Sequence, residues 1–257
     1  MPNGTNSTAR FCTSYGEYKT LPIPYPKYIR NGLGSHIFDV DGNEYIDYSC
    51  AYGPVILGHA HPKVNQAVEK QLGEGYIFGV NHETEVSLCE KISHHIPCAD
   101  KVQITNSGSD VISAAVRIAR IHTGKQKIIK FSGQYNGWHD WASFEITPEG
   151  EKEVYPGVPK SLLNDVIVLP WNNLEIVCEV LDREGKDIAA IVTEPYQFNG
   201  GAIPPEKGYL EGLRKYSEEY NVLLIFDEVI TGFRLGIGGA QDILGVTPDL
   251  AAFSKAM

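Results

Sequence analysis

Residues 221–234 read NVLLIFDEVITGFR. Val222 through Phe226 are consecutive apolar residues, a run of the length expected for a strand buried on both faces of a parallel sheet, and it stops at two carboxylates, Asp227 and Glu228. The C-terminal edge of such a strand is where open α/β sheets bind ligands, and a carboxylate held there in low dielectric is costly unless a cation or protonated nitrogen meets it. A second apolar segment, 250–253, ends in Ser254 and Lys255. A lysine thus arrives behind a run that cannot solvate it, and desolvation lowers a lysine's pKa and frees its amine as a nucleophile.

An aspartate opposite a protonated ring nitrogen and a desolvated lysine able to form a Schiff base are the two fixed parts of a pyridoxal phosphate site. A buried strand ending in solvated acids, with Lys255 on the surface, accounts for the same residues. The rest of the chain has to decide between them.

The chain has 257 residues, enough for one large α/β domain or two smaller ones, and its 42% hydrophobic content is ordinary for a soluble globule. With 22 basic against 32 acidic residues the formal charge is −10, which argues against nucleic acid or an anionic membrane as partner. The five cysteines are scattered and form no C-x-x-C, so reduced thiols in a cytoplasmic protein are expected. The first residues carry no signal-peptide pattern, and no apolar stretch reaches the ~20 residues of a membrane helix.

Residues 1–34, rich in Pro, Gly, Asn and Thr, read as an extended segment. Residues 36–40 and 44–48 flank Asp41-Gly42-Asn43 and predict a β-hairpin. The expected division is an N-terminal segment with this hairpin, 1–60, followed by a large domain, 61–257. Pro62 opens a helix with Val64, Ala67, Val68 and Leu72 on one face and Gly73 closing it; a second helix is predicted over 84–95. Six short apolar or alternating runs follow, at 101–105, 127–131, 165–169, 188–193, 222–226 and 249–253, mostly separated by helical patterns. That is the arithmetic of a doubly wound, mostly parallel α/β sheet.

The unusual residues collect at the C-terminal ends of these runs. Asn106-Ser107-Gly108-Ser109 opens an amphipathic helix over 110–122. Backbone N–H groups at a helix start suit a phosphate, and plain N-capping by Ser109 explains the same residues. Tyr135, in a Gly-x-Tyr-x-Gly setting past a strand end, could lie flat over a planar ligand, or simply pack half-buried. His59, His61, His94 and His95 lack acidic or thiol partners at zinc spacing and read as structural, so no metal is expected. No phosphate-binding G-x-x-x-x-G-K-[ST] occurs.

Taken together, the segments FDVDGNEYIDY, GPVILGHAHP, TNSGSD, IIKFSGQYNGWHD, PGVPKS, LLIFDEVITGFR, GGAQ and GVTPDLAAFSKA, in this order from about residue 36 onward, resemble the class III pyridoxal phosphate-dependent aminotransferases, in particular the branch containing glutamate-1-semialdehyde 2,1-aminomutase. The resemblance implies the fold-type I architecture, a homodimer, pyridoxal 5'-phosphate as cofactor, and a small-molecule amino donor and carbonyl acceptor. It implies that Lys255 forms the Schiff base and moves protons, that Asp227 pairs with the pyridine nitrogen, and that Val229 and Tyr135 cover the two ring faces. Ser107, Gly108 and Ser109 would hold the phosphate. Asn136, Glu194 and Glu228 fall where the family keeps polar groups near the cofactor.

Three departures bear on substrate. Ser109-Asp110 stand where the family usually has Thr-Glu, Asn136 where it usually has histidine, and YGEYKTLPIPYPKYIR offers no match to the mutase's substrate-binding N-terminal segment. These departures favour an aminotransferase acting on another substrate over the mutase. Family members also continue past the lysine into another strand and a C-terminal small domain. The expectation is therefore that the small domain is missing from the 257 residues here, with a non-catalytic cofactor-binding module as a further alternative.

Overall fold

The computed structural model describes residues 28–147 and 149–257. The expectations for residues 1–27, including most of the proline-rich segment, lie outside this range. The chain divides into two compact units, Met1–Ile77 and Phe78–Met257.

In the first unit the expected hairpin forms from β2 (His36–Asp39) and β3 (Glu44–Ile46), and β1 (Ile29–Leu33) adds an antiparallel strand to β2. The turn is held by Asp39, whose carboxylate accepts from the backbone N–H groups of Asp41 and Asn43, the Asn43 amide and the Tyr45 hydroxyl. Those donors hold the Asp39 carboxyl below its ordinary pKa against some desolvation. Helix α1 (Pro62–Glu74) starts at its proline as expected, but Gly73 lies inside it and the chain turns out at Gly75, where φ is 98°. A glycine closes a helix only where the backbone goes left-handed, and spacing alone does not show which one does.

The second unit opens with α2 (Glu83–His95), capped by His82, whose ring nitrogen accepts from Thr84 N at 3.2 Å. Its Ile92 and the following Ile96 are buried, while Val86 and Leu88 are exposed. Next come α3 (Gly108–Thr123), β4 (Lys127–Phe131), a hairpin of β5 (Phe144–Ile146) and β6 (Lys152–Val154), and β7 (Val166–Leu169). They are followed by α4 (Leu174–Glu184), β8 (Ile188–Thr193), α5 (Tyr209–Glu219), β9 (Leu223–Asp227), α6 (Gly239–Leu244) and β10 (Leu250–Ala252).

The central sheet has the order β10-β9-β8-β4-β7, and every pairing is parallel. Period-two alternation splits its side chains between two cores. Ile129, Phe131, Ile191, Leu224 and Phe226 pack with α4 and α5, while Ile128, Val166, Val168, Ala190, Val192, Ile225 and Ala252 pack with α3 and the β5 region. A sheet covered on both faces explains the almost unbroken apolar runs, with all six residues of β8 buried.

Five of the six expected runs are strands of this sheet. Residues 101–105 are not: they are irregular, and a cavity of about 190 Å³ separates them from the edge residues Leu250, Ala251 and Phe253. Alternation makes a segment competent for a strand, but only a backbone ladder makes one, and none forms here.

Candidate functional site

One cavity of about 190 Å³ at the C-terminal edge of the sheet brings together Ser107, Gly108, Ser109, Tyr135, Asn136, Glu194, Asp227, Val229 and Lys255. These are the candidate residues read from the sequence, contributed by segments spread over 149 positions of chain, from 107 to 255. A parallel sheet aligns all its C-terminal ends on one edge, which is why such distant loops meet.

Helix α3 delivers the first three. Its cap is Ser107, not Ser109: Ser107 Oγ accepts from Asp110 N at 3.2 Å and donates to Asp110 Oδ2 at 2.8 Å. Ser109 sits inside the first turn, so its hydroxyl is not consumed in capping. A side chain on Gly108 would press on Val229, with a Cβ only 3.2 Å from Val229 Cγ2. Glycine therefore lets the helix start approach the residue after the acidic pair.

Strand β9 delivers Asp227, and alternation puts it on the α3 side with Ile225 while Glu228 points to the other side. Asp227 Oδ2 accepts from Asn136 Nδ2 at 2.8 Å and Oδ1 from Val229 N at 3.1 Å. Asn136 is itself fully buried, and its Oδ1 has no partner among the described residues.

Glu228 is no part of the cavity. Its carboxyl group accepts from Thr231 Oγ1 at 2.9 Å, from Ala240 N, and from Gln241 N and Nε2 at 3.2 and 3.0 Å. It ties the loop after β9 to the start of α6, and Gln241 in turn accepts from Cys98 N at 3.0 Å. The placement near the cofactor implied by the resemblance is thus corrected for Glu228, because its carboxyl group is taken up by Thr231, Ala240 and Gln241 and does not line the cavity.

Glu194, at the end of β8, does line the cavity, but its oxygens are engaged. Oε2 accepts from the N–H groups of Phe198 and Asn199 at 2.8 and 3.2 Å, and Oε1 from Asn199 Nδ2 at 2.6 Å. It thereby sets Asn199 in the cavity wall, a residue the sequence reading missed. The signal available was only Asn199-Gly200-Gly201, which reads as a turn. Tyr135 is 60% exposed, its ring uncovered at the cavity mouth.

Burial sets the electrostatics. It pushes the Asp227 carboxyl up to about 7; Glu194 pushes the same way, while the Asn136 and Val229 hydrogen bonds and Lys255 oppose it. It raises the Glu194 carboxyl as well, against the donors from Asn199, Phe198 and Tyr135. The Lys255 amine is lowered by desolvation and by Arg234, partly offset by Asp227 and Glu194. Lys255 also has φ 52°, a left-handed backbone rare for a side chain of its length and costing of order 1–3 kcal/mol, the kind of strain that collects at functional sites. An amine biased toward its neutral form beside an acid biased toward its own can accept an electrophilic carbonyl and a cationic ring nitrogen together.

A doubly covered parallel sheet that gathers a helix N-terminus, a buried aspartate and a desolvated lysine in one cavity defines an α/β domain with a cavity at the C-terminal edge of its strands. The chain belongs to the class III aminotransferase family, whose model matches residues 20–257, and has the fold-type I architecture of that family. It is 43% identical to a glutamate-1-semialdehyde 2,1-aminomutase of Natranaerobius thermophilus, with 100% of the chain and 59% of the relative covered. The chain thus spans about three-fifths of that relative's length. It is also similar to an omega-transaminase from Sphaerobacter thermophilus (TM-score 0.86, 33% identity, 99% of the chain and 62% of the other covered). A further solved structure, a transaminase with PLP bound, gives a TM-score of 0.85 at 31% identity over 98% of the chain and 62% of the other. Among the described residues no helix is long and apolar enough to cross a membrane.

Proposed function

We propose that the protein is a pyridoxal phosphate-dependent aminotransferase that moves an amino group from a small-molecule donor to a carbonyl acceptor. The observation that carries this reading is the meeting of Lys255, Asp227 and the α3 N-terminus in one cavity. The residues fit the cofactor. Asp227 is a buried acid without a cationic partner at hydrogen-bond distance among the described residues, Asn136 Oδ1 is a buried acceptor without a donor, and Gly108 leaves room beside Val229. Ser107, Gly108 and Ser109 are assigned to the phosphate, Asp227 to the ring nitrogen, Val229 and Tyr135 to the two ring faces, and Lys255 to the aldehyde carbon. Asn136 and Glu194 complete the polar wall, the latter through Asn199.

Bound pyridoxal phosphate supplies the electron sink that stabilises a carbanion next to the transferred nitrogen. The protein's part is to keep that sink charged and to move the proton. Asp227 would hold the ring nitrogen protonated, and the Lys255 amine, lowered by burial, would carry a proton from the donor carbon to the carbon on the other side of the transferred nitrogen.

The second reading is the aminomutase, favoured by the names of the curated relatives at 43–44% identity. Asn136, standing where the family usually has histidine, weighs against it. We further infer a homodimer, supported by the α1 stripe Val64, Val68 and Leu72, each between 46% and 56% exposed. A cytoplasmic location is supported by the free thiols of Cys50, Cys89, Cys98 and Cys178.

The test uses the full-length protein. A yellow band that borohydride fixes covalently is expected, and bleaching by a good amino donor alone should leave stable pyridoxamine phosphate. Conversion of glutamate 1-semialdehyde to 5-aminolevulinate with no half-reaction on any donor would establish the mutase instead. A colourless protein that gains no band on adding pyridoxal phosphate would remove both readings.

A further inference from the structure

A lysine with 0% exposure sits within the central sheet, on the strand beside its β7 edge. Lys130 is the fourth residue of β4, on the face it shares with Ile128, Val166 and Val168, and nothing in that packing calls for an ammonium group. Burying one costs several kcal/mol unless it is fully paired, so its partners show what it is for. Lys130 Nζ donates to Ala142 O at 3.1 Å and Phe144 O at 2.8 Å and pairs with Glu145 Oε1 at 3.4 Å. The other oxygen, Glu145 Oε2, accepts from Ser132 Oγ at 2.8 Å and Gly133 N at 3.1 Å, the first two residues after β4.

Those residues are gripped from the other side too. Gln197 Nε2 donates to Ser132 O at 2.9 Å, and Gln134 ties the next residue to β8, accepting from Glu194 N at 2.8 Å and donating to Thr193 Oγ1 at 3.3 Å. Gly133 must be glycine: φ is 77°, and a Cβ would lie 2.5 Å from Gln197 Nε2. Directly beyond this clamp come Tyr135 and Asn136, the exposed ring at the cavity mouth and the amide that holds Asp227. A directional charge pair at the root of a loop fixes where its tip residues point, which an apolar residue of equal size at 130 cannot do.

We propose that Lys130 and Glu145 are a positioning pair that fixes the 132–136 loop, and so sets Tyr135 over the bound cofactor ring and Asn136 against Asp227. The inference rests on the cofactor reading given above. Neither residue lines the cavity that holds Lys255, so both act through the loop.

The experiment measures, in the full-length protein, the dissociation constant of pyridoxal phosphate and the visible circular dichroism per bound cofactor, which reports a fixed ring orientation. Glu145→Ala is expected to weaken binding about tenfold and to cut the dichroism by about half or more, with Glu145→Gln intermediate. Lys125→Met is the control. Lys125 Nζ holds the carbonyls of Gly185, Tyr220 and Asn221 at the opposite edge of the sheet, so this variant should melt at lower temperature yet keep both cofactor signals. Glu145→Ala with unchanged affinity and dichroism would overturn the positioning role while leaving the cofactor reading intact. If Glu145→Ala does not fold, Glu145→Gln is judged by the same two signals. A wild-type protein that binds no cofactor overturns both.

Discussion

Asn136 Nδ2 donates to Asp227 Oδ2 at 2.8 Å, and both residues are buried, the asparagine completely. A neutral amide can lower the pKa of a buried acid by donating to its ionised form, but it brings no charge and titrates nowhere near neutrality. Burial wins that contest, and the carboxyl stays raised, to about 7. Asp227 therefore depends on a cation from a ligand to keep it ionised. The relationship makes the acid's state a reporter of occupancy, which the first two predictions use.

With cofactor bound, Asp227→Asn should leave the visible band of lysine-bound pyridoxal phosphate but slow amino transfer by about 100-fold or more, since a neutral amide no longer favours a protonated ring nitrogen. Single-turnover rates with one donor measure it. A loss below about tenfold, or ~1.4 kcal/mol, would remove Asp227 from this role.

Without cofactor, the same carboxyl should tilt stability against pH. Its folded pKa of about 7 lies above the ordinary 3.8, so between those values the folded protein binds the proton that the unfolded chain has released. Stability from this group is thus fully present below about pH 4 and lost as pH rises through about 7, with an upper bound of roughly 4 kcal/mol. Urea melts of cofactor-free wild type and Asp227→Asn at pH 4.5 and 7.5 measure the effect together with its coupling to Glu194 and Lys255, while Lys130 contributes alike to both proteins. The stability difference between the two proteins should change with pH in that direction; a constant difference contradicts a raised Asp227.

The sheet was legible because its strands are buried on both faces: runs such as 188–192 have nothing polar to confuse the pattern. Residues 101–105 misled for the converse reason, since alternation there is real but no neighbouring ladder exists to use it. Asp227 and Lys255 could be found because a charge that ends an apolar run is conspicuous. Glu228 looked equally conspicuous and belongs elsewhere, because which of two adjacent acids faces a ligand depends on strand register, which only pairing fixes. Asn199 and the Lys130–Glu145 pair were invisible for a further reason: an asparagine before two glycines reads as a turn, and what a lysine inside a short strand pairs with is not known until its partners are seen.

Glu228 and Asp227 should accordingly fail in different ways. Glu228→Ala strands the N–H groups of Ala240 and Gln241 in a buried site, and each lost bond to a charged acceptor costs ~1.5–3 kcal/mol, so a destabilisation of about 3 kcal/mol or more is expected. Denaturant melts give the number, and cofactor bound per folded molecule should stay near wild type. A stable Glu228→Ala protein that loses cofactor would reverse the assignment of the two acids.

Lys255 combines the proposed covalent role with an unfavourable backbone, and two substitutions separate them. Lys255→Ala and Lys255→Gly should both abolish the borohydride-fixable band and amino transfer, because no other amine lines the cavity among the described residues. They should differ in stability. At φ 52° a Cβ is strained while glycine is not, so the glycine variant should match or exceed the alanine variant by about 0.5–1 kcal/mol, the reverse of the usual penalty for glycine in a fixed backbone. Paired melts of the cofactor-free variants provide the comparison, and spectra taken with added pyridoxal phosphate provide the chemistry. A band surviving in either variant would move the covalent role away from Lys255, whereas an alanine variant more stable than the glycine one would show that the left-handed backbone is not retained.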